Sequence, residues 1–232
     1  MTRAGPLNWR TGAGWLVLAG GGDWRKGETG EVDAAVLGWA DLTRPIALLP
    51  TAGISTAEGE ELVDHFVDLG GPSGSVVTIR SPAGARKEDN CESIAGAGLI
   101  VVADGPDPLR LVRALSGQPA IQAIVDAFVS GAAVVGVGAG GAAFGAWVAG
   151  TGKGEPVERG WAWLEQAIVE PHFEGTESSG RLRTLLRRHP DCLGIGVPEG
   201  GALALGPGGE VVTVGSEQVT VVVDAERKTE SG

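Results

Sequence analysis

The chain has 232 residues, 43% hydrophobic and 20% charged, which fits one α/β domain with a core of useful size. Its net charge of −11, with acidic and basic residues interleaved rather than blocked, argues against a nucleic-acid partner. Cys91 and Cys192 lie far apart and outside any Cys/His cluster, and the N-terminal apolar run at 15–19 is too short for a signal-peptide core. The expectation is a cytoplasmic protein with reduced thiols, no cofactor, no metal and no membrane span.

In chain order, residues 1–13 are polar and glycine-bearing and read as a loosely held tail. A buried strand at 15–19 ends in Gly20-Gly21-Gly22-Asp23, a turn that either brings amides to an anion or lets the strand pass under a neighbouring loop. A helix at 31–39 and a proline-bounded strand at 45–50 follow. The helix at 57–69 sets Leu62, Phe66 and Leu69 on one face and Glu58, Glu60, Glu61 and Asp64 near its start, where the helix dipole favours negative charge. His65 in this helix reads as a surface residue.

A strand at 75–79, a helix at 87–94 and the apolar strand 97–103 lead to Asp104-Gly105-Pro106-Asp107-Pro108, then helices at 109–115 and 118–129. Residues 149–160 form a polar connection, whose Gly152-Lys153 lacks the glycine and hydroxyl residue of a phosphate loop. Trp161 and Trp163 alternate as on a strand and with Trp147 could present an apolar face to a partner, although core packing is the commoner fate of tryptophan. A basic helix at 182–188 precedes four short strands, at 193–197, 202–205, 211–214 and 219–223, which read as antiparallel hairpins extending one sheet edge. The alternation predicts an α/β three-layer sandwich with a mainly parallel central sheet and C-terminal antiparallel hairpins. It forms a single domain at 14–224, with tails at 1–13 and 225–232.

The pivot of the chain is 132–146, A-A-V-V-G-V-G-A-G-G-A-A-F-G-A, which reads as strand, tight turn and helix. Such a turn lies at the carboxyl edge of an open sheet, where helix N-terminal amides face the ligand crevice. Gly136, Gly138 and Gly141 fit G-x-G-x-x-G, a dinucleotide pattern, but that fold needs a second strand ending in an acidic residue, and 150–159 is polar and glycine-rich. The turn also fits the nucleophile corner G-x-S-A-G-A, with Gly138 in the serine position. A third reading is that the glycines only let the helix pack closely on the strand.

Four segments in order resemble the cyanophycinase and dipeptidase E family of serine peptidases, whose fold is like that of type 1 glutamine amidotransferases. They are Gly20-Gly21-Gly22, the 136–142 turn, Glu170-Pro171-His172-Phe173 with Gly180-Arg181-Leu182, and 194–199 (G-I-G-V-P-E). The resemblance implies that the nucleophile falls on Gly138, the base on His172 and the orienting acid on Glu199. It places substrate contacts at Gly105, Asp107, Ala139, Glu170 and Arg181. Glycine has no side chain to attack with. Pro106 has no N–H to donate where the family's G-G-x-Q turn aligns with 105–108, and Thr176 and Ser178 stand where the family has arginines.

Nucleophile, oxyanion donor and substrate clamp are therefore altered together. The expected function is that of a family member without serine-peptidase activity. It would bind a small peptide or amino-acid-like ligand or act as a partner subunit, as a homodimer or paired with an active homologue. The rival readings are a hydrolase that activates water with His172 and Glu199 or Glu170, and a dinucleotide-binding protein using Gly136, Gly138 and Gly141.

Overall fold

The computed structural model describes residues 1–152 and 156–223, with backbone alone at 176–179. A hairpin, β1 (Thr2–Ala4) and β2 (Leu7–Trp9), opens the chain, followed by β3 (Leu16–Ala19), α1 (Gly30–Trp39), β4 (Ile46–Leu49), α2 (Thr56–Asp68) and β5 (Gly74–Val76). Next come α3 (Glu88–Ala95), β6 (Leu99–Val102), α4 (Pro108–Leu115), α5 (Pro119–Val129), β7 (Ala133–Val137) and the short α6 (Ala139–Ala143). The last part holds β8 (Trp147–Ala149), β9 (Val157–Arg159), β10 (Ala167–Glu170), α7 (Gly175–Arg188), β11 (Leu193–Gly196), β12 (Ala202–Leu205), β13 (Val211–Val214) and β14 (Thr220–Val222). Among the described residues, no helix is long and apolar enough to cross a membrane.

The central sheet has seven strands in the order β13-β12-β3-β7-β6-β4-β5. The run from β3 to β5 is parallel, and β12 and β13 add an antiparallel hairpin at one edge. Its inner strands are apolar at nearly every position because both faces are covered. Leu16, Leu18, Leu49, Ile100, Val102 and Val134 point to a core closed by α3 to α6, while Val17, Leu48, Val101 and Val135 point to one closed by α1 and α2. This is the expected three-layer α/β sandwich.

A second sheet, β10-β11-β14, lies beyond α6, and α7 packs on it through Leu182, Leu185 and Leu186. The four C-terminal strands therefore do not form one extension. β12 and β13 join the main sheet, whereas β11 pairs in parallel with β10 and antiparallel with β14. Short apolar segments separated by glycine carry no mark of which edge they will join.

The N-terminal segment is a hairpin rather than a loose tail. Trp9 is 1% exposed, and the Arg10 N–H donates to Trp163 O at 2.8 Å. Trp161 and Trp163 are buried against Phe144 and make no exposed face, and Trp147 stacks on His189. His65 is not a free surface residue, since its Nε2 meets Asp33 Oδ2 at 2.9 Å between α1 and α2. Part of the 149–160 connection is an ordered ribbon, β8 with β9, and its Lys153 lies outside the described residues, as does the expected C-terminal tail.

Replacing Trp9 with alanine is expected to cost about 3–5 kcal/mol in urea unfolding, the usual price of emptying a buried aromatic site. A loosely held segment would instead leave the midpoint within about 0.5 kcal/mol of wild type.

Candidate functional site

Strand order assembles the site. β3, β7 and β6 are neighbours and run in the same direction, so the turns at their carboxyl ends lie side by side: Gly20 to Gly22 after β3, Gly138 after β7 and Asp104 after β6. In the second sheet Glu170 at the end of β10 is paired with Gly196 at the end of β11. His172 and Glu199 follow these paired positions by two and three residues and so emerge together.

The two sheets are stitched at this point. The His172 N–H donates to Gly20 O at 2.9 Å, the Gly20 N–H to Gly201 O at 2.9 Å, and the Gly200 N–H to Gly21 O at 2.9 Å. Gly21 has φ +103°, and a Cβ there would lie 2.3 Å from His172 Cε1, so only glycine leaves room for the imidazole. His172 itself sits at φ +48°, a left-handed conformation uncommon for non-glycine residues, held by its N–H bond and by the Phe173 N–H bond to Val197 O.

Gly138 adopts φ 53°, ψ −118° at a sharp strand-to-helix corner. The corner is the strained turn that presents a nucleophile side chain at the head of a helix. Here the space over it is filled from elsewhere. A Cβ built on Gly138 would lie 2.1 Å from the Asp104 Cγ and Oδ1 atoms. Asp104 Oδ1 accepts from the Ala139 N–H at 2.8 Å and from the Gly105 N–H at 2.7 Å. Asp104 Oδ2 meets His172 Nε2 at 3.0 Å, and His172 Nδ1 meets Glu199 Oε1 at 2.8 Å. The chain of contacts is Asp104, His172, Glu199, with a carboxylate in the room that a side chain at position 138 would need.

The electrostatics follow from this line of three. The hydrogen bond to Asp104 is the strongest influence on His172. With the charge of Asp104 and the contact to Glu199, it overcomes the opposing effect of burial and pushes the imidazole up to about 9. Burial works against the Asp104 charge, but the bonds from His172 and the Ala139 and Gly105 amides hold its carboxyl below the ordinary range. Pushed up to about 9, the imidazole beside the Asp104 carboxylate keeps its proton at neutral pH, and a ring with both nitrogens protonated cannot act as a base.

A cavity of about 380 Å³ opens beside Asp104. Gly105, Ala139, Glu170, His172 and Arg181 all line it, so the structure brings these sequence-predicted residues together. Arg181 Nε lies 2.9 Å from Glu170 Oε1, with Glu170 almost fully buried and Arg181 partly exposed. Burial raises the Glu170 carboxyl above its ordinary range, and Arg181 only partly offsets this. A second, more open cavity meets the same line from the other side, where Trp24, Arg25 and Val137 face Glu199 and His172.

Asp107 is placed differently. Its Oδ1 accepts the Arg110 N–H at 3.1 Å and caps α4, and it does not line the cavity. Pro106 has no N–H to donate, and the amide before it, that of Gly105, donates to Asp104 Oδ1 at 2.7 Å. The residue missed from the sequence is Asp104. Its signal was an acidic side chain directly after an apolar parallel strand, where α/β ligands bind. The Ala139 amide, the N-terminal donor that a dinucleotide phosphate would use, is already taken by this carboxylate.

Because the imidazole is raised in the folded state, its stabilisation is fully present below the unfolded value of 6.5 and is lost as pH rises through about 9. The stability difference between wild type and Asp104→Asn, from urea unfolding, is expected to be largest near pH 6 and to shrink through about 9. A difference independent of pH would contradict the coupling.

Comparison with known proteins agrees with this architecture. The model of peptidase family S51 matches residues 16–211. The cyanophycinase of Trichormus variabilis is 29% identical over 194 residues, covering 76% of this chain and 62% of the relative. That of Geminocystis herdmanii is 28% identical over 187 residues, covering 76% and 68%. The chain thus spans less than two thirds of the Trichormus cyanophycinase. Among solved structures, a peptidase from an acI-B1 Actinobacterium superposes with a TM-score of 0.70 at 22% identity, covering 93% of this chain and 97% of that one. A putative peptidase E from Listeria monocytogenes EGD-e gives a TM-score of 0.57 at 13% identity, covering 91% and 99%. With residues 16–211 of its 232 matched by the family model, the chain belongs to peptidase family S51.

Proposed function

We propose that this chain is a family S51 protein without serine-peptidase activity, whose crevice binds a small peptide or amino-acid-like ligand. The observation that carries the reading is the Asp104 carboxylate. It stands where a nucleophile side chain at position 138 would stand, and its Oδ1 occupies the Ala139 and Gly105 amides that an acyl-transfer oxyanion would need. Nucleophile loss is thus coupled to occupation of the oxyanion donors, which a single stray substitution would not produce.

The Glu170 and Arg181 pair supports an amino-acid-like ligand. A guanidinium partly open to the cavity offers paired donors to a carboxylate, and the buried Glu170 beside it offers an acceptor to an ammonium. Water activated by His172 and Glu199 is disfavoured as an alternative. With the imidazole near 9, only about 1% of it is neutral at pH 7 and able to take a proton.

The test is hydrolysis of α- and β-aspartyl dipeptides, including β-aspartyl-arginine. Wild type is expected to stay at background. Gly138→Ser alone should gain nothing because the Asp104 carboxylate blocks the new side chain. Exchanging both positions, Asp104→Gly with Gly138→Ser, should raise turnover at least about 10²-fold, and a further His172→Ala should remove the gain. Wild-type turnover that depends on His172 would overturn the reading.

A further inference from the structure

Arg10, just after β2, is partly exposed, and its guanidinium carbon lies 5.4 Å from the centre of the Trp163 ring. A ring face attracts the positive charge but leaves the N–H donors to find acceptors elsewhere. Among the described residues Arg10 forms no ion pair, and its Nε is buried without a hydrogen-bond partner. Trp161 repeats the pattern. It is 9% exposed, its ring packs edge-on against Phe144, and its Nε1 is likewise buried without a partner. A buried donor left unpaired costs its desolvation, and folded proteins keep few of them.

Both side chains border one cavity of about 240 Å³, which shares no residue with the two cavities at Asp104. The buried Trp161 and Trp163 and the half-buried Ile121 and Val125 of α5 give it an apolar lining, and Ser116 adds a hydroxyl. Among the described residues no acidic side chain lines it. Asp126, one turn beyond Gln122 on α5, instead accepts from Gln122 Nε2 at 2.8 Å.

These groups select a ligand. A guanidinium without a carboxylate partner pairs best with a carboxylate, whose planar oxygens match its donors, and the indole N–H offers one donor more. The aromatic and aliphatic lining requires an apolar body behind that carboxylate. A cavity of about 150 Å³ is enough for benzene, so this one holds a ring together with its carboxylate, while it falls short of the roughly 300–1,000 Å³ of sites for drug-sized ligands. We propose that this cavity binds small monocarboxylates with an apolar body, held by the Arg10 guanidinium and the Trp161 indole N–H. The site stands apart from Asp104 and does not rest on the reading of the crevice.

The experiment is calorimetric titration of the full chain with benzoate at pH 7. One benzoate per chain is expected. It should bind at least about 10-fold more tightly than benzamide, which keeps the ring without the charge, and than inorganic phosphate, which keeps the charge without the ring. Arg10→Gln should weaken benzoate at least about 10-fold, and Trp161→Phe, which keeps an aromatic ring and removes the N–H, roughly 3- to 10-fold, both with circular dichroism unchanged. Arg181→Gln, in the crevice, should leave the affinity as it is. Wild type that binds no benzoate at about 10 mM overturns the proposal. So does benzamide binding as tightly as benzoate, or affinity lost in Arg181→Gln and kept in Arg10→Gln, which would put the carboxylate in the crevice.

Discussion

The contact between Asp104 and His172 joins the end of β6 in the main sheet to the loop after β10 in the second sheet, at a separation of 3.0 Å. It requires Gly138, because any side chain there would enter the carboxylate. It also sets the charge of the site, since the imidazole gains its proton chiefly from this hydrogen bond. A serine in the same turn would have needed a neutral histidine beside it to take its proton. One pair of residues thus determines what fits at the corner, what the amides bind and which protonation state the imidazole holds.

The backbone around this contact is held from several sides. Gly138 forms the strand-to-helix corner, His172 is held at φ +48° by main-chain bonds to the first turn, and Glu199 meets the far ring nitrogen. The group in front of the imidazole arrives from the neighbouring strand end, carries its own negative charge and brings its own hydrogen-bond partners. Such a site keeps the proton on the imidazole while the Asp104 carboxylate lies against it.

The inner strands of the sheet were legible in the sequence because burial on both faces leaves uninterrupted apolar runs, as in 97–103 and 132–137. The margins were less so. Trp9 belongs to the core only because Thr2 to Ala4 folds back on Leu7 to Trp9, and nothing local in that polar segment announces the pairing. β11 reads like the strands of the C-terminal hairpins until its partner β10 is known. His172 and Glu199 could be read from their motifs, since each sits just past a strand. Asp104 also sits just past a strand but belongs to no motif, and in D-G-P-D-P that position alone does not set it apart from Asp107, which caps α4. Its role exists only through the parallel adjacency of β6 and β7, which brings its carboxylate over a glycine that the sequence shows merely as a missing serine.

The most direct measurement is the nitrogen-15 spectrum of the His172 ring in the wild-type protein at pH 7, assigned by comparison with His172→Gln. The ion line from Asp104 to Glu199 predicts that both ring nitrogens carry protons there, with the midpoint of their titration at about 9. A neutral ring at pH 7, with one nitrogen unprotonated, would mean that Asp104 does not hold the imidazole as described, and the account of the site would be wrong.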